Sequence, residues 1–246
     1  MKMRNNHNNK LSNELESFQS IWEEGYFTGY SNKRNQKGLE EYLDKNLEGK
    51  NFLEIGCGGG QWSKYIYNKN IFDKMYCIDA LSETHNNFWS YLGNESKDTI
   101  TYVKVEDFNL DFIKDNSLDY VFSYDVFCHI SYLGTESYLE ALSRKCKKNS
   151  KLLIMYADPS KYLKSEPENR DHVIRYLPEK KLIYKLSNKR LIEDALLDSD
   201  GEPSEGRWYW LGISSFIELC RKYKFEIISE DLNIDKTNPI TLFKKK

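Results

Sequence analysis

Several features that define other classes of protein are absent from this 246-residue sequence. No run of about 18 apolar residues occurs, so no membrane-spanning helix and no membrane partner are predicted. The first residues, MKMRNNHNNKLSNE, lack the apolar segment of a signal peptide, and we therefore expect a cytoplasmic protein. Five scattered cysteines form no C-x-x-C pair, which predicts reduced thiols and neither a disulfide framework nor a metal site.

An excess of positive charge is also absent. The sequence has 36 Lys and Arg residues against 38 Asp and Glu residues, a net charge of −2. Proteins dedicated to nucleic acids are usually basic, because contacts with phosphates supply most of their affinity, so no nucleic-acid partner is expected. Hydrophobic residues make up 39% of the sequence and charged residues 30%, which is ordinary for a globular protein. The length fits a single domain over residues 1–246.

The order of the predicted elements indicates an α/β fold. Residues 1–12 are polar and expected to be disordered, and residues 13–48 are predicted to form a helical cap. Strands and helices then alternate, which predicts a Rossmann-like, doubly wound sheet that is mostly parallel. The predicted strands are Asn51–Ile55, Lys74–Ile78, Ile100–Val105, Leu118–Ser123 and Lys151–Tyr156. The predicted helices between them are Gln61–Asn68, Ser82–Leu92, Asp111–Lys114 and Thr135–Lys147.

The alternation stops after the fifth predicted strand. Residues 158–211 are charged, aromatic and contain four prolines, and a segment of this length is more often a lid or a substrate-binding insertion than an inert loop. A helix at Ile213–Tyr223 and strands at Phe225–Asp231 and Ile240–Phe243 are predicted to follow. The last two strands could pair as an antiparallel hairpin, which would complete a seven-stranded sheet.

A glycine-rich turn follows the first predicted strand. Glu54, Gly56, Gly58 and Gly60 form the pattern E-x-G-x-G-x-G between a strand and a helix. Glycines let the backbone turn tightly and let a ligand approach the main chain, and the helix behind them offers N–H groups. The dinucleotide fingerprint G-x-G-x-x-G/A fits less well, because Gln61 occupies its last position.

This pattern resembles motif I of the class I S-adenosylmethionine (SAM)-dependent methyltransferases. The resemblance covers residues 51–157, extends to residues 213–244, and implies SAM as cofactor and S-adenosylhomocysteine as product. Asp79 lies 19 residues past Gly60 at the end of the second strand, where an acid can accept hydrogen bonds from both ribose hydroxyls. Its neighbour Ala80 is assigned to the same cofactor site.

Two further segments are assigned through the resemblance. An acid after the third strand would receive the adenine amino group, so Asp107 and Phe108 are placed in the adenine pocket, with Glu106 as the competing acid. The turn after the fourth strand would face the methionine part of SAM, which assigns Tyr124 and Asp125 to it.

His129 follows one helical turn after Asp125 if the segment is helical. Its ordinary pKa of about 6.5 suits a general base, which makes His129 the candidate catalytic residue. The alternative is that His129 forms local hydrogen bonds and shapes the pocket.

The acceptor is predicted to be a small polar molecule. The sequence has no N/D-P-P-Y/F motif after the fourth strand and no Pro-Cys, which removes two classes of DNA methyltransferase. Arginines suit phosphate or carboxylate groups, and aromatic side chains can enclose a small ligand. The candidate acceptor-binding residues are Tyr26, Tyr30, Tyr132, Arg170, Arg175, Arg207 and Trp208.

A narrower resemblance suggests the setting. The glycine turn, the segment YDVFCHIS and the segment RWYWLGISSFIELCRKYKFEIISEDL are similar to bacterial methyltransferases from surface-polysaccharide loci. This resemblance implies O-methylation of a sugar, phosphate or phosphoramidate group in capsule biosynthesis. Two alternatives stay open on the sequence: an NAD(P)-dependent oxidoreductase, and a non-catalytic methyltransferase-fold subunit that binds a partner.

Overall fold

The structure, a computed structural model, describes residues 11–16, 19–20, 36–165 and 209–246. Most of the segment 158–211 and part of the predicted N-terminal cap therefore lie outside the described residues. Among the described residues, no helix is long and apolar enough to cross a membrane. All five cysteines are buried, with free thiols.

Seven strands form one mixed sheet. The strands are β1 (Asn51–Ile55), β2 (Lys74–Asp79), β3 (Ile100–Lys104), β4 (Leu118–Ser123), β5 (Cys146–Met155), β6 (Phe225–Ser229) and β7 (Ile240–Lys245). Their spatial order is β3-β2-β1-β4-β5-β7-β6. The five strands from β1 to β5 pair in parallel, while β7 is antiparallel to both β5 and β6. This arrangement confirms the predicted doubly wound sheet with a closing antiparallel hairpin.

Helices precede, connect and follow the parallel strands. They are α1 (Gln36–Asn46), α2 (Gln61–Tyr67), α3 (Phe88–Leu92), α4 (Tyr132–Lys145), α5 (Pro159–Ser165) and α6 (Ile213–Lys222). Residues 11–16 and 19–20 are also helical, and short 3-10 helices occupy Asn94–Asp98 and Phe127–His129. Because β4 lies next to β1 in the sheet and runs parallel to it, the carboxyl ends of both strands lie at the same edge.

The central strands are apolar on both faces because each face is covered. Along β1, Phe52 belongs to one core cluster and Leu53 to the other, as expected when successive side chains point to opposite sides of a sheet. Tyr120 and Val121, their partners on β4, divide between the same two clusters. Burial of each such side chain contributes about 1.5 to 3 kcal/mol to the stability of the sheet. The well-packed strands fix the positions of the turns at their ends.

Two predicted helices differ in the structure. The short helix expected at Asp111–Lys114 is wrong, because these residues form a turn and bend. The helix expected at Ser82–Leu92 begins only at Phe88, since Asn87 precedes it in a left-handed conformation with φ 51°. Left-handed backbone cannot continue a right-handed helix, so the preceding residues form turns.

Other element boundaries shift for local reasons. Helix α4 begins three residues before the predicted Thr135, because Ser131 caps it by accepting a hydrogen bond from the Gly134 N–H at 3.1 Å. Strand β5 begins at Cys146 and not at Lys151, and an irregularity in its register with β4 absorbs the extra residues. Helix α5 lies within the segment for which only an insertion was predicted.

Candidate active site

The glycine-rich turn joins β1 to α2 at the carboxyl edge of the sheet. Gly56 has φ 75°, and a Cβ atom at this position would lie 2.1 Å from Cγ2 of Val126 in the loop after β4. Only glycine fits where the backbone is left-handed and a neighbouring loop is this close. The N–H groups of Gly56 and Cys57 both donate to the carbonyl of Ile78, at 2.7 and 3.1 Å. The turn is therefore held against the ends of β2 and β4.

Glu54 lies beneath this turn and is 2% exposed. The hydroxyl of Ser63 in α2 donates to its Oε2 at 2.5 Å. Burial raises the pKa of Glu54 to about 8, opposed by the Ser63 bond and assisted by the negative charge of Asp79. Glu54 is therefore mostly protonated near neutral pH and joins β1 to α2 from inside the protein.

Asp79 stands at the end of β2 and contacts the turn directly. One carboxylate oxygen, Oδ2, accepts the Gly58 N–H at 2.9 Å, and Oδ1 accepts the Leu81 N–H at 2.9 Å. Burial raises the pKa of Asp79, although these two N–H groups act in the opposite direction. The carbonyl of Ala80 accepts a hydrogen bond from Nε2 of Gln19 at 2.9 Å, so the N-terminal helical residues reach the same edge of the sheet.

A cavity opens at this edge and encloses about 860 Å³ of empty space, including its mouth to solvent. The residues predicted from the sequence that line it are Gly56, Gly58, Asp79, Ala80, Phe108, Asp125 and His129. The structure thus brings together residues from four separate strand ends.

Other predicted residues lie nearby but do not line the cavity. Glu106 and Asp107 are exposed, and the two carboxylate oxygens of Asp107 accept hydrogen bonds from the backbone and side chain of Asn109 at 2.8 and 3.1 Å. The Tyr124 hydroxyl donates to Oδ2 of Asp235 at 3.1 Å, inside the protein. Tyr132 is on the surface, 44% exposed.

Gly60 and Glu54 do not line the cavity but hold the glycine-rich turn in place. A Cβ atom on Gly60 would lie 2.2 Å from Cδ1 of Leu92, so this glycine lets α3 approach the start of α2. The remaining predicted residues lie outside the described part of the chain: Tyr26, Tyr30, Arg170, Arg175, Arg207 and Trp208.

The loop after β4 forms the other side of the cavity. Asp125 has a left-handed backbone with φ 61°, and the 3-10 helix that follows places His129 on the cavity wall. Side-chain donor atoms of Asp125, Cys128 and His129 lie within 4.8 Å of one another, a grouping that could hold a metal ion. Here Sγ of Cys128 donates to Oδ1 of Asp125 at 3.6 Å, and burial raises the pKa of the thiol well above its usual value.

Several cavity residues were missed by sequence reasoning. Val105, Ile130 and Tyr138 are among them, and they form an apolar slot with the predicted Phe108, whose ring meets that of Tyr138 edge to face at 4.9 Å. Glu14, from the N-terminal helical residues, lines the cavity as well. The Ser131 cap of α4 is a recognisable sequence signal that would have placed Ile130 at a helix start. Glu14 belongs to no motif.

The fold and this cavity define a Rossmann-like enzyme domain with its ligand site at the carboxyl ends of parallel strands, at the point where the strand order reverses. Residues 27–230 match the family model described as a methyltransferase domain. The match covers most of the sequence, and the chain belongs to this methyltransferase family. Among curated proteins, none matches the chain.

Solved structures show the same fold. A SAM-dependent methyltransferase from Methanosarcina mazei is similar with a TM-score of 0.57 and 16% identity, over 83% of this chain and 96% of that one. A SAM-dependent methyltransferase from Aquifex aeolicus has a TM-score of 0.55 and 17% identity, over 87% and 90%. The magnesium protoporphyrin IX methyltransferase of Synechocystis PCC 6803, solved with bound S-adenosylhomocysteine, has a TM-score of 0.56 and 16% identity, over 98% and 99%.

Family membership and fold together confirm the predicted class of enzyme, a SAM-dependent methyltransferase, with SAM as the cofactor that they support. They do not favour the oxidoreductase alternative. The cavity fits such a cofactor in three respects. Glycines without side chains line one part, a carboxylate stands at the end of β2, and an apolar slot can take a flat ring.

Proposed function

We propose that the chain binds SAM in the cavity between the glycine turn and the loop after β4, and transfers its methyl group to a small polar acceptor. The observation that carries this proposal is the joining of Gly58 to Asp79 by a 2.9 Å hydrogen bond on the wall of one cavity. This bond places backbone that a ligand can approach closely, at Gly58, next to a carboxylate that can bind hydroxyl groups, at Asp79. An amino-acid tail and the ribose attached to it need this pair of neighbours.

The residues that line the cavity support the remaining roles that we propose. The apolar slot of Val105, Phe108, Ile130 and Tyr138 suits the faces of a nucleobase, whereas Asp125 and His129 line the part beside the glycine turn. Bound SAM supplies a methyl group already activated on a sulfonium. The protein then has to position the acceptor and exclude water, and we assign His129 to contact the acceptor or to remove its proton.

For the acceptor, we propose oxygen of a sugar, phosphate or phosphoramidate group that is built into a capsule or surface polysaccharide. The support is the narrower sequence resemblance, together with arginines at 170, 175 and 207 in the segment typical of substrate binding. Guanidinium groups would neutralise an anionic acceptor. Aromatic residues Tyr26, Tyr30, Tyr132 and Trp208 are proposed to enclose it.

Calorimetry tests the cofactor site. The protein should bind SAM and S-adenosylhomocysteine, and Asp79→Asn should weaken both about 10- to 100-fold, because a hydrogen bond to a charged group contributes about 1.5 to 3 kcal/mol. Asp98→Asn, at an exposed position that does not line the cavity, is the matched control for overall folding and charge. Absence of binding to either ligand would refute the cofactor site, and binding of NADH instead would restore the oxidoreductase alternative.

A separate experiment tests the acceptor class. Sugars, sugar phosphates and phosphoramidates are incubated with SAM carrying a labelled methyl group, and methylated products are identified by mass. Arg170→Ala, Arg175→Ala and Arg207→Ala should raise the acceptor KM while leaving the SAM dissociation constant unchanged. If the KM of an anionic acceptor is unchanged in all three variants, the anionic-acceptor proposal is wrong.

A further inference from the structure

The loop after β4 carries three side chains of the kinds that bind metal ions. Asp125, Cys128 and His129 stand at positions i, i+3 and i+4, and the last two belong to the 3-10 helix Phe127–His129. Residues three and four apart face the same side of a helical turn. Their donor atoms, a carboxylate oxygen, Sγ and an imidazole nitrogen, all lie within 4.8 Å of one another. In the part of the chain that the structure describes, no other three His, Cys, Asp or Glu residues meet in this way.

The spacing of these atoms fits a tetrahedral zinc site. Sγ of Cys128 is 3.6 Å from Oδ1 of Asp125. In a tetrahedral site, bonds of about 2.3 Å to sulfur and about 2.0 to 2.2 Å to oxygen place these two ligand atoms about 3.6 Å apart. The imidazole nitrogen of His129 lies within 4.8 Å of the other two donor atoms, so a movement of at most about 1.5 Å completes the set.

The three side chains are reached from the cavity. Asp125 is exposed and His129 half-buried, and both line the cavity, whereas Cys128 is completely buried. A metal ion can therefore enter through the cavity and meet the thiol at the inner end of the site. The buried carboxylate of Asp235 also acts through its negative charge on the Cys128 thiol. A cation held between the three side chains would be attracted by both carboxylates.

The three kinds of ligand select among metal ions. Mg²⁺ and Ca²⁺ prefer sites made of oxygen atoms, whereas thiolate and imidazole together favour Zn²⁺. We propose that Asp125, Cys128 and His129 bind Zn²⁺ through a carboxylate oxygen, Sγ and an imidazole nitrogen. The thiol releases its proton to solvent when the zinc–sulfur bond forms, and coordinate bonds replace the hydrogen bond between Cys128 and Asp125. Three protein ligands leave the fourth position to water, as in open zinc sites.

The metal site does not depend on the proposed cofactor, because all three ligands belong to the chain. It has a consequence for His129 that rests on the proposed function. A metal-bound imidazole carries a proton on its second ring nitrogen, which can donate a hydrogen bond. With zinc bound, contact with the acceptor is therefore the role left to His129, and removal of the acceptor's proton is not.

The experiment uses the full chain, freed of metal by a chelator, and adds Zn²⁺ in a calorimeter and Co²⁺ in an absorption spectrometer. The unchanged protein should bind Zn²⁺, and Co²⁺ should give the charge-transfer band of a cobalt–thiolate bond, which Zn²⁺ then abolishes. Cys128→Ser should remove this band and weaken Zn²⁺ binding at least about 10-fold, because loss of even an outer partner of a metal ligand has an effect of this size. Asp125→Asn and His129→Gln should weaken Zn²⁺ binding similarly while the band remains.

Two matched controls come from the same chain. Cys146→Ser changes another completely buried cysteine and His85→Gln an exposed histidine, and neither should alter the band or the Zn²⁺ affinity. Absence of the band in the unchanged protein, or equal Zn²⁺ affinity in the unchanged protein and all three site variants, would overturn the proposal. Thermal unfolding shows which variants are folded, and His129→Gln keeps the test decisive if Cys128→Ser is not. Because no titration contains SAM, failure of the cofactor site would leave these results unaffected.

Discussion

Replacing Glu54 by glutamine should change how the stability of the protein depends on pH. Glu54 is 2% exposed, and burial, with a smaller contribution from the charge of Asp79, raises its pKa to about 8. In the unfolded chain a glutamate has a pKa of about 4.3. Between these two values, the folded protein holds a proton on Glu54 that the unfolded chain has released.

The sign of the effect follows from proton binding. Because the folded state binds more protons, the free energy of unfolding falls as pH rises between about 4.3 and 8. One proton changes it by at most about 1.4 kcal/mol per pH unit. Glu54→Gln is neutral at every pH and keeps an oxygen to accept the Ser63 hydroxyl, so this dependence should disappear.

Urea denaturation of both proteins at several values from pH 5.5 to 8.5 measures the effect. As pH rises, the unfolding free energy of Glu54→Gln should increase steadily relative to that of the unchanged protein. The control is Glu83→Gln, which changes an exposed glutamate near the same edge of the sheet and should give a constant difference. Parallel curves for Glu54→Gln and the unchanged protein would show that Glu54 is ionised in the folded state, contrary to the reasoning.

Three other substitutions test contacts that hold the strands and turns of the sheet in place. Gly56→Ala should lower the unfolding free energy by at least about 1 to 2 kcal/mol, because its φ is 75° and the new Cβ would collide with Val126. Gly59→Ala is the control and should lower it less, because a Cβ there would lie 3.3 Å from the carbonyl oxygen of Asn86. Equal losses in the two variants would contradict this reasoning. Asp119 bonds to Lys147 and to two backbone N–H groups at the start of β1, and these bonds hold its pKa below the ordinary value against the effect of burial. The contribution of the Asp119 carboxylate to the unfolding free energy should be lost as pH falls below about 4. In Asp119→Asn, acid unfolding followed by circular dichroism should therefore depend less steeply on pH.

The order of strands and helices along the chain could be predicted from the sequence, because each element is indicated by a pattern of neighbouring residues. Apolar runs separated by helical patterns and turn residues predict alternating strands and helices, and parallel strands covered on both faces have no polar side. The pattern from Glu54 to Gly60 needs only neighbouring residues to be recognised. Asp79 is identifiable for the same reason, since it directly ends a strand.

Side-chain direction was not predictable from the same signals. Tyr124 directly follows β4, but its hydroxyl donates to Asp235, which is 111 positions away in the sequence. Asp107 is next to Asn109, and short polar side chains compete for local backbone bonds in turns. Which of these outcomes occurs depends on packing against distant elements.

Local sequence patterns specify the alternation of strands and helices, the glycine turn, the acid at the end of β2 and hence the family, because each depends on neighbours in the chain. Which acids face the cavity depends on tertiary packing. Glu14 lines it and bonds to Ser131, 117 positions away in the sequence, whereas Glu54 does not line it because its carboxyl group is buried against Ser63 of α2. Burial and long-range hydrogen bonds arise when distant segments pack, and no spacing within one segment encodes them.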